Sequence, residues 1–372
     1  YRLLTGATPT SRDATLLMAW LAVAMIGYAV CGLQKRYAPR AGVAALSLSC
    51  VTAVFASGAL FLLASADFYY LAELSFVGWC AGAVGFGLHA TARPRGWRRA
   101  AVFALAGVCF ALCVMSRPGA APLVAALLLP PFWAQLRRGV GGARDAAAFL
   151  MPAALGVGAV LWYNAARFGS PLDFGLSYQL TVTDAHWARV RFAELPKALY
   201  HYLLEMPVWN NRFPYVLAGY HALPTAGRYV FTMASIGVLA LPVMWSLGFA
   251  RLSGARALGG AAALRRARAW LIALPVMVSL PLMLISYGLG GATLRYTCDY
   301  RLIYAMLALL CALPMMSDPD TPEKQALAVL CAALCVITVL METMLLFDNE
   351  RDYLLKNAPQ VYYGIQRALF PY

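Results

Sequence analysis

Charge is the scarcest property of this sequence. Asp, Glu, Lys and Arg make up 12% of the residues against 62% hydrophobic, with a mean hydropathy of +0.67. That balance excludes a soluble globular domain, which would have too few polar groups to present to water. A bilayer removes the difficulty, because lipid meets the helix exterior. Lysine is scarcer still: only Lys35, Lys197, Lys324 and Lys356 stand among 30 basic residues. With abundant alanine, this points to a GC-rich genome of the actinobacterial kind. The nine cysteines form no C-x-x-C pair and no Cys/His cluster. Almost all fall inside apolar runs, where Cys109 with Cys113 and Cys331 with Cys335 read as small apolar packing residues. Cys298 alone falls in an expected outer loop, so no structural disulfide is expected.

What the chain has instead is ten apolar runs: 14–34, 41–65, 72–90, 101–115, 120–136, 146–165, 229–249, 270–288, 302–316 and 326–347. A membrane helix needs about 20 largely apolar residues. The expected fold is therefore all-α, a polytopic membrane protein of about ten transmembrane helices, with 1–372 as a single transmembrane domain. Arginine sets the orientation. Loops 35–40, 91–100, 137–145, 250–269 and 317–325 hold 16 of the 30 Lys and Arg in 54 residues. The remaining 14 are spread over 124 residues in 1–13, 66–71, 116–119, 166–228, 289–301 and 348–372. By the positive-inside rule the first set is cytoplasmic and the second outside, although Asp318, Asp320 and Glu323 break the trend in the last inner loop. Both chain ends then fall outside, 348–372 as an outer tail. The net charge of +14 is scattered over short turns. It fits anionic membrane lipid as a partner and excludes a nucleic-acid stripe.

The N-terminus shows no signal peptide. Tyr1-Arg2-Leu3-Leu4-Thr5-Gly6 reads as a loop that an upstream span should precede. Asp13 reads as the N-cap of the first helix.

The largest polar piece is the outer loop 166–228. Gly169, Ser170-Pro171 and Gly175 are turn chemistry. Phe192, Leu195, Leu199, Leu203 and Met206 recur at helical spacing, with Lys197, His201 and Glu205 opposite. This is an amphipathic helix, either lying on the outer membrane surface or packing under a loop. Trp187, Trp209, Phe213, Tyr215 and Tyr220 suit an interfacial aromatic belt, or a groove for lipid or sugar. His186, His201, His221, Asp184 and Glu205 share this loop. Only His201 and Glu205 have a ligating spacing, so no metal site is assigned, and a divalent metal stays open as a cofactor.

Six ionisable residues sit at or in span ends on the expected outer side: Glu73, Arg117, Arg167, Arg295, Asp299 and Glu342. Charge near hydrocarbon is costly and marks functional candidates, although each could simply snorkel at a helix end. An outward cavity with Arg donors suits a phosphate-bearing ligand.

Four segments resemble one family. Tyr163-Asn164, then Arg167-Phe168-Gly169-Ser170-Pro171 and Phe174-Gly175, is similar to the segment after a mid-chain span in bacterial GT-C membrane glycosyltransferases, the dolichyl-phosphate-mannose protein mannosyltransferases above all. Leu105-Ala106-Gly107-Val108 with Ser116-Arg117-Pro118 resembles a hairpin of that class, Val108 standing where its Leu would be. Phe68-Tyr69-Tyr70-Leu71-Ala72-Glu73 resembles its segment with an acid at the outer start of a span. Arg295-Tyr296 with Asp299 resembles a late turn. The resemblance implies transfer of a sugar from a polyprenyl-phosphate donor to a cell-envelope glycan or protein acceptor, on the outer face of a bacterial plasma membrane. It implies substrate binding by Arg117, Tyr163, Asn164, Arg167, Arg295 and Asp299, with Asp299 orienting Arg295. The family's catalytic acid belongs to a first outer loop that the chain does not show. The catalytic residue is therefore unknown, Glu73 being the fallback, and the chain alone is expected to be catalytically silent.

Two other classes stand beside this one. A lipid or sugar transporter, or a flippase, would use intramembrane charges and broken helices, but no internal repeat appears between the halves. A non-catalytic membrane scaffold is the other.

Overall fold

Apolar runs of this length have one way to satisfy their backbone in lipid, which is to wind into helices. The computed structural model describes the chain apart from residues 1–5, 7, 9, 67, 137–138, 176–177, 179–189, 226–228, 253–261, 318 and 370–372. Among the described residues, seven helices are long and apolar enough to cross a bilayer. These are α1 (Ser11–Tyr37), α4 (Phe68–Thr91), α5 (Trp97–Ser116), α7 (Val140–Phe168), α9 (Ala262–Gly290), α10 (Leu294–Met315) and α11 (Pro322–Asn357). The chain is a multi-pass, all-α membrane protein.

Three of the ten expected runs take other forms. The run 41–65 is broken into α2 (Val43–Ala56) and α3 (Ala59–Ser65). Gly58 separates them at φ 76°, a left-handed conformation that favours glycine. The run 120–136 forms α6 (Ala121–Leu136), whose apolar part, Ala121–Pro130, is short for a span. The run 229–249 corrects the expectation outright. It begins as strand β4 (Tyr229–Ser235), paired antiparallel with β3 (Gly219–Thr225), and continues as 3₁₀ turns Val238–Ala240 and Pro242–Phe249. Tyr229, Val230, Phe231 and Thr232 favour a pleated strand, and Gly237 and Pro242 deny a continuous α-helix. Hydropathy marked the segment as apolar but could not specify its backbone.

α10 is the axis of the bundle: every residue of its span window is buried, against 11% for α7 at the periphery. α5 and α7 approach closely enough that a side-chain carbon at Gly107 would collide with the main-chain oxygen of Phe149. Thr10 caps α1, its side chain accepting from the Asp13 N–H while the Asp13 carboxylate accepts from the Thr10 N–H at 2.8 Å. Asp13 is thus the third residue of a capping box rather than the N-cap itself.

The outer loop is mostly docked structure. A 3₁₀ turn (Phe192–Glu194), α8 (Leu195–Leu199) and a π-turn (Tyr200–Leu204) form one helical rod. Leu195, Leu199 and Leu203 pack on the core, Ala198 and Tyr202 are fully buried, and the Tyr202 hydroxyl donates to the Gly291 carbonyl at 3.0 Å. The rod therefore packs on the protein through this face, while Phe192 and Met206 stay exposed. Glu205 is buried rather than solvent-facing. The wider π-turn, closed by Glu205 N–H donating to Tyr200 O, rotates it inward. A short hairpin of β1 (Val208–Trp209) and β2 (Val216–Leu217) follows. Of the aromatic belt, Trp209 is exposed, but Phe213 is interior, with ring centroids 5.0 Å from Phe347 and 5.1 Å from Tyr362. Trp187 lies outside the described residues, as do His186 and Asp184. The tail is helical: α11 runs on to Asn357 and α12 (Pro359–Leu369) follows, the Tyr362 hydroxyl donating to Phe213 O.

Candidate functional site

Three span ends meet at the side that the arginine distribution assigns to the outside. Glu73 lies near the start of α4. Arg117 caps the C-terminus of α5. Arg295 and Asp299 lie in the first turns of α10, one helical turn apart, where Thr293 is the N-cap and accepts from Tyr296 N–H. That segment was expected to be a turn leading into a span at 302. Instead the helix starts earlier, which also makes Cys298 a buried helical residue rather than part of a loop.

The four charges form one network. Arg117 grips Asp299 with a two-pronged fork: Nε donates to Oδ1 at 3.2 Å and Nη2 to Oδ2 at 2.5 Å. Its third nitrogen, Nη1, lies 3.3 Å from Glu73 Oε1. Arg295 Nε lies 3.3 Å from the same oxygen, and Arg295 Nη2 donates to the Tyr296 hydroxyl at 3.0 Å. The expected pairing of Asp299 with Arg295 is therefore corrected: Asp299 holds Arg117, and Glu73 joins the two arginines. The reason is direction, since the i,i+4 neighbours on α10 lean toward different partner helices.

Both carboxylates are almost fully buried, at 2% and 4% side-chain exposure, whereas Arg117 and Arg295 keep 28% and 20%. The network is neutral, two cations against two anions, as a partly dry setting requires. Aromatic faces complete it. The Arg295 guanidinium carbon lies 4.8, 5.3 and 5.6 Å from the ring centres of Tyr296, Tyr69 and Tyr70. Arg117 lies 5.5 Å from that of Tyr296. Such cation–π contacts fix the guanidinium planes.

A second ion pair lies deeper. Arg301, at 1% side-chain exposure, donates from Nη1 to Glu342 Oε1 at 3.0 Å and Oε2 at 3.2 Å. Its Nε and Nη2 have no hydrogen-bond partner among the described residues. Glu342 thus belongs to this pair rather than to the outer network. Arg301 was missed because it sits at the edge of an apolar run; a cation and an acid inside two different spans were the available signal. At the opposite end, Arg99 Nε and Asp145 Oδ2, 2.7 Å apart and buried, tie α5 to α7. This pair was also not foreseen.

The fourth expected segment stays apart. Arg167 Nη1 donates to the Tyr163 hydroxyl at 2.8 Å and its guanidinium lies over the Phe168 ring. Asn164 is buried and donates to Pro171 O at 3.3 Å. Gly169 and Gly175 take left-handed conformations, as the turn chemistry requires. These contacts build the turn after α7, and among the described residues none joins it to the outer network. His201 Nδ1 donates to Glu205 Oε2 at 3.0 Å, and the Ser235 hydroxyl donates to the same oxygen. Among the described residues no three His, Cys, Asp or Glu side chains converge as metal ligands.

No family model, no curated protein and no solved structure matches this chain. Its chemistry has to be argued from the network itself.

Proposed function

We propose that the chain is a membrane glycosyltransferase of GT-C type, moving a sugar from a polyprenyl-phosphate donor to a cell-envelope glycan or protein at the outer face of a bacterial plasma membrane. One observation carries this reading. Glu73, Arg117, Arg295 and Asp299 come from three segments, each quoted for its resemblance to that class, and they meet in a single network. Ordinary snorkelling residues at helix ends would reach separately for the surface. Two partly exposed guanidinium groups at the edge of the bilayer are suited to a lipid phosphate, the leaving group of the transfer. Tyr69, Tyr70 and Tyr296 supply faces on which a sugar or a prenyl chain can lie. Tyr163, Asn164 and Arg167 have a structural part in this proposal, holding the turn after α7.

The test uses membranes from a strain lacking this gene, loaded with a polyprenyl-phosphate sugar labelled in the sugar. Restoring the wild-type gene is expected to transfer label to envelope glycan or protein. Arg295→Ala is expected to reduce that transfer about tenfold or more, the worth of one charge-assisted contact. Equal labelling with and without the wild-type gene rules the proposal out.

A further inference from the structure

We infer that the two arginines of the outer network have different tasks: Arg295 alone touches the ligand phosphate, through Nη1, and Arg117 is a positioning residue that ties Asp299 to Glu73. The inference rests on the proposed lipid-phosphate ligand and refines how it is held.

The nitrogens decide it. Each nitrogen of Arg117 already faces a carboxylate: Nε and Nη2 face Asp299 and Nη1 faces Glu73. A phosphate drawing on Arg117 would have to open the fork and leave Asp299, at 4% side-chain exposure, buried without its counter-charge. Arg295 is different. Its Nε is held by Glu73 and its Nη2 by the Tyr296 hydroxyl, but Nη1 has no protein partner among the described residues. Exposure by itself ranks the two the other way, 28% for Arg117 against 20% for Arg295. Occupancy outweighs it, because an exposed nitrogen already bound to a carboxylate is no donor for a ligand. Three tyrosine rings hold the Arg295 plane, so little side-chain freedom is lost when Nη1 takes up a phosphate oxygen.

This division makes an asymmetric forecast for lysine. A contact through one nitrogen can be replaced by a lysine ammonium, whereas a planar fork cannot. The full chain, reconstituted in phosphatidylcholine nanodiscs, is titrated with polyprenyl phosphate, with polyprenol, and with inorganic phosphate. Wild type is expected to prefer polyprenyl phosphate to both others. Arg295→Ala should weaken its binding about tenfold or more, and Arg295→Lys should restore it to within about threefold of wild type. Arg117→Ala and Arg117→Lys should weaken it alike, Asp299→Asn should reproduce them, and Arg295→Lys should no longer rescue in an Arg117→Ala background. Melting temperatures identify any variant that fails to fold, and Asp299→Asn carries the Arg117 arm if Arg117→Ala does.

Arg295→Lys as weak as Arg295→Ala, or Arg117→Lys as tight as wild type, overturns the division. Polyprenol binding as tightly as polyprenyl phosphate overturns phosphate recognition, and equal affinity for inorganic phosphate overturns the lipid as its source. Polyprenyl-phosphate binding without any sugar transfer ends the glycosyltransferase proposal but leaves the division standing. Transfer with the lysine ranking reversed does the opposite.

Discussion

Arg117 and Asp299 are joined by a two-pronged contact, 3.2 and 2.5 Å, between the end of α5 and the first turns of α10. The pair ties the axial helix of the bundle to a peripheral one, and its acid is buried. Arg117→Ala and Asp299→Asn should each cost about 1–3 kcal/mol of stability. The double variant should cost clearly less than their sum, because one contact is lost only once. Unfolding of all three in detergent measures this; strict additivity would mean that the two residues act independently.

The deeper pair should behave differently. Arg301→Met leaves Glu342 charged and buried, at a cost of about 3–5 kcal/mol. Arg301→Met with Glu342→Met removes both charges and should recover much of that loss, since neither ion then has to be kept out of water. A double variant less stable than Arg301→Met would contradict this account and assign the pair a packing role that methionine cannot fill.

Helix packing gives a third contrast. A methyl group at Gly107 meets the backbone of α7, while one at Gly158 meets nothing within 4 Å. Gly107→Ala should lower stability by about 1–3 kcal/mol through overpacking. Gly158→Ala, on the exposed face of the same helix pair, should be neutral or slightly stabilising through helix propensity. Similar melting temperatures for the two would mean that α5 and α7 are free to separate.

The orientation can be read chemically. Arg95 and Leu172 are exposed at opposite ends of the bundle, and all nine native cysteines are buried or half-buried. With Arg95→Cys and Leu172→Cys made separately, a membrane-impermeant thiol reagent on intact cells should label position 172 and spare 95. The reverse pattern would put the Arg117–Asp299 network on the cytoplasmic side and remove the outer-face donor from the proposal.

The spans legible in the sequence were those with continuous hydropathy and no strong breaker. α1, α4, α5, α7, α9, α10 and α11 each cover an expected run, usually extending it by several residues into polar sequence. Those extensions matter. Arg295 and Asp299 were expected in a loop, but the Thr293 cap starts α10 before them and turns both into helical residues. Hydropathy windows do not see a cap, because one hydroxyl decides it. The run 229–249 failed for the complementary reason. Its apolar content was real, but β-pairing with Gly219–Thr225 competes with helix and is a long-range contact. In the network, the residue types and their shared end of the membrane were legible from chain order and charge bias. The pairing was not, nor was Arg301.

By itself, then, the sequence determined that the chain lives in a bilayer, which segments cross it, and which ionisable residues gather near one end. These properties depend on local composition and on alternation along the chain, and lipid enforces them one segment at a time. Only the tertiary structure decided that Arg117 belongs to Asp299, that Glu73 joins both arginines, that Glu342 lies with Arg301, and that Arg167 stands apart. An ion pair in a nearly dry interior is held by the direction of each side chain and by the exclusion of water around it. Both arise only when helices distant in sequence pack together.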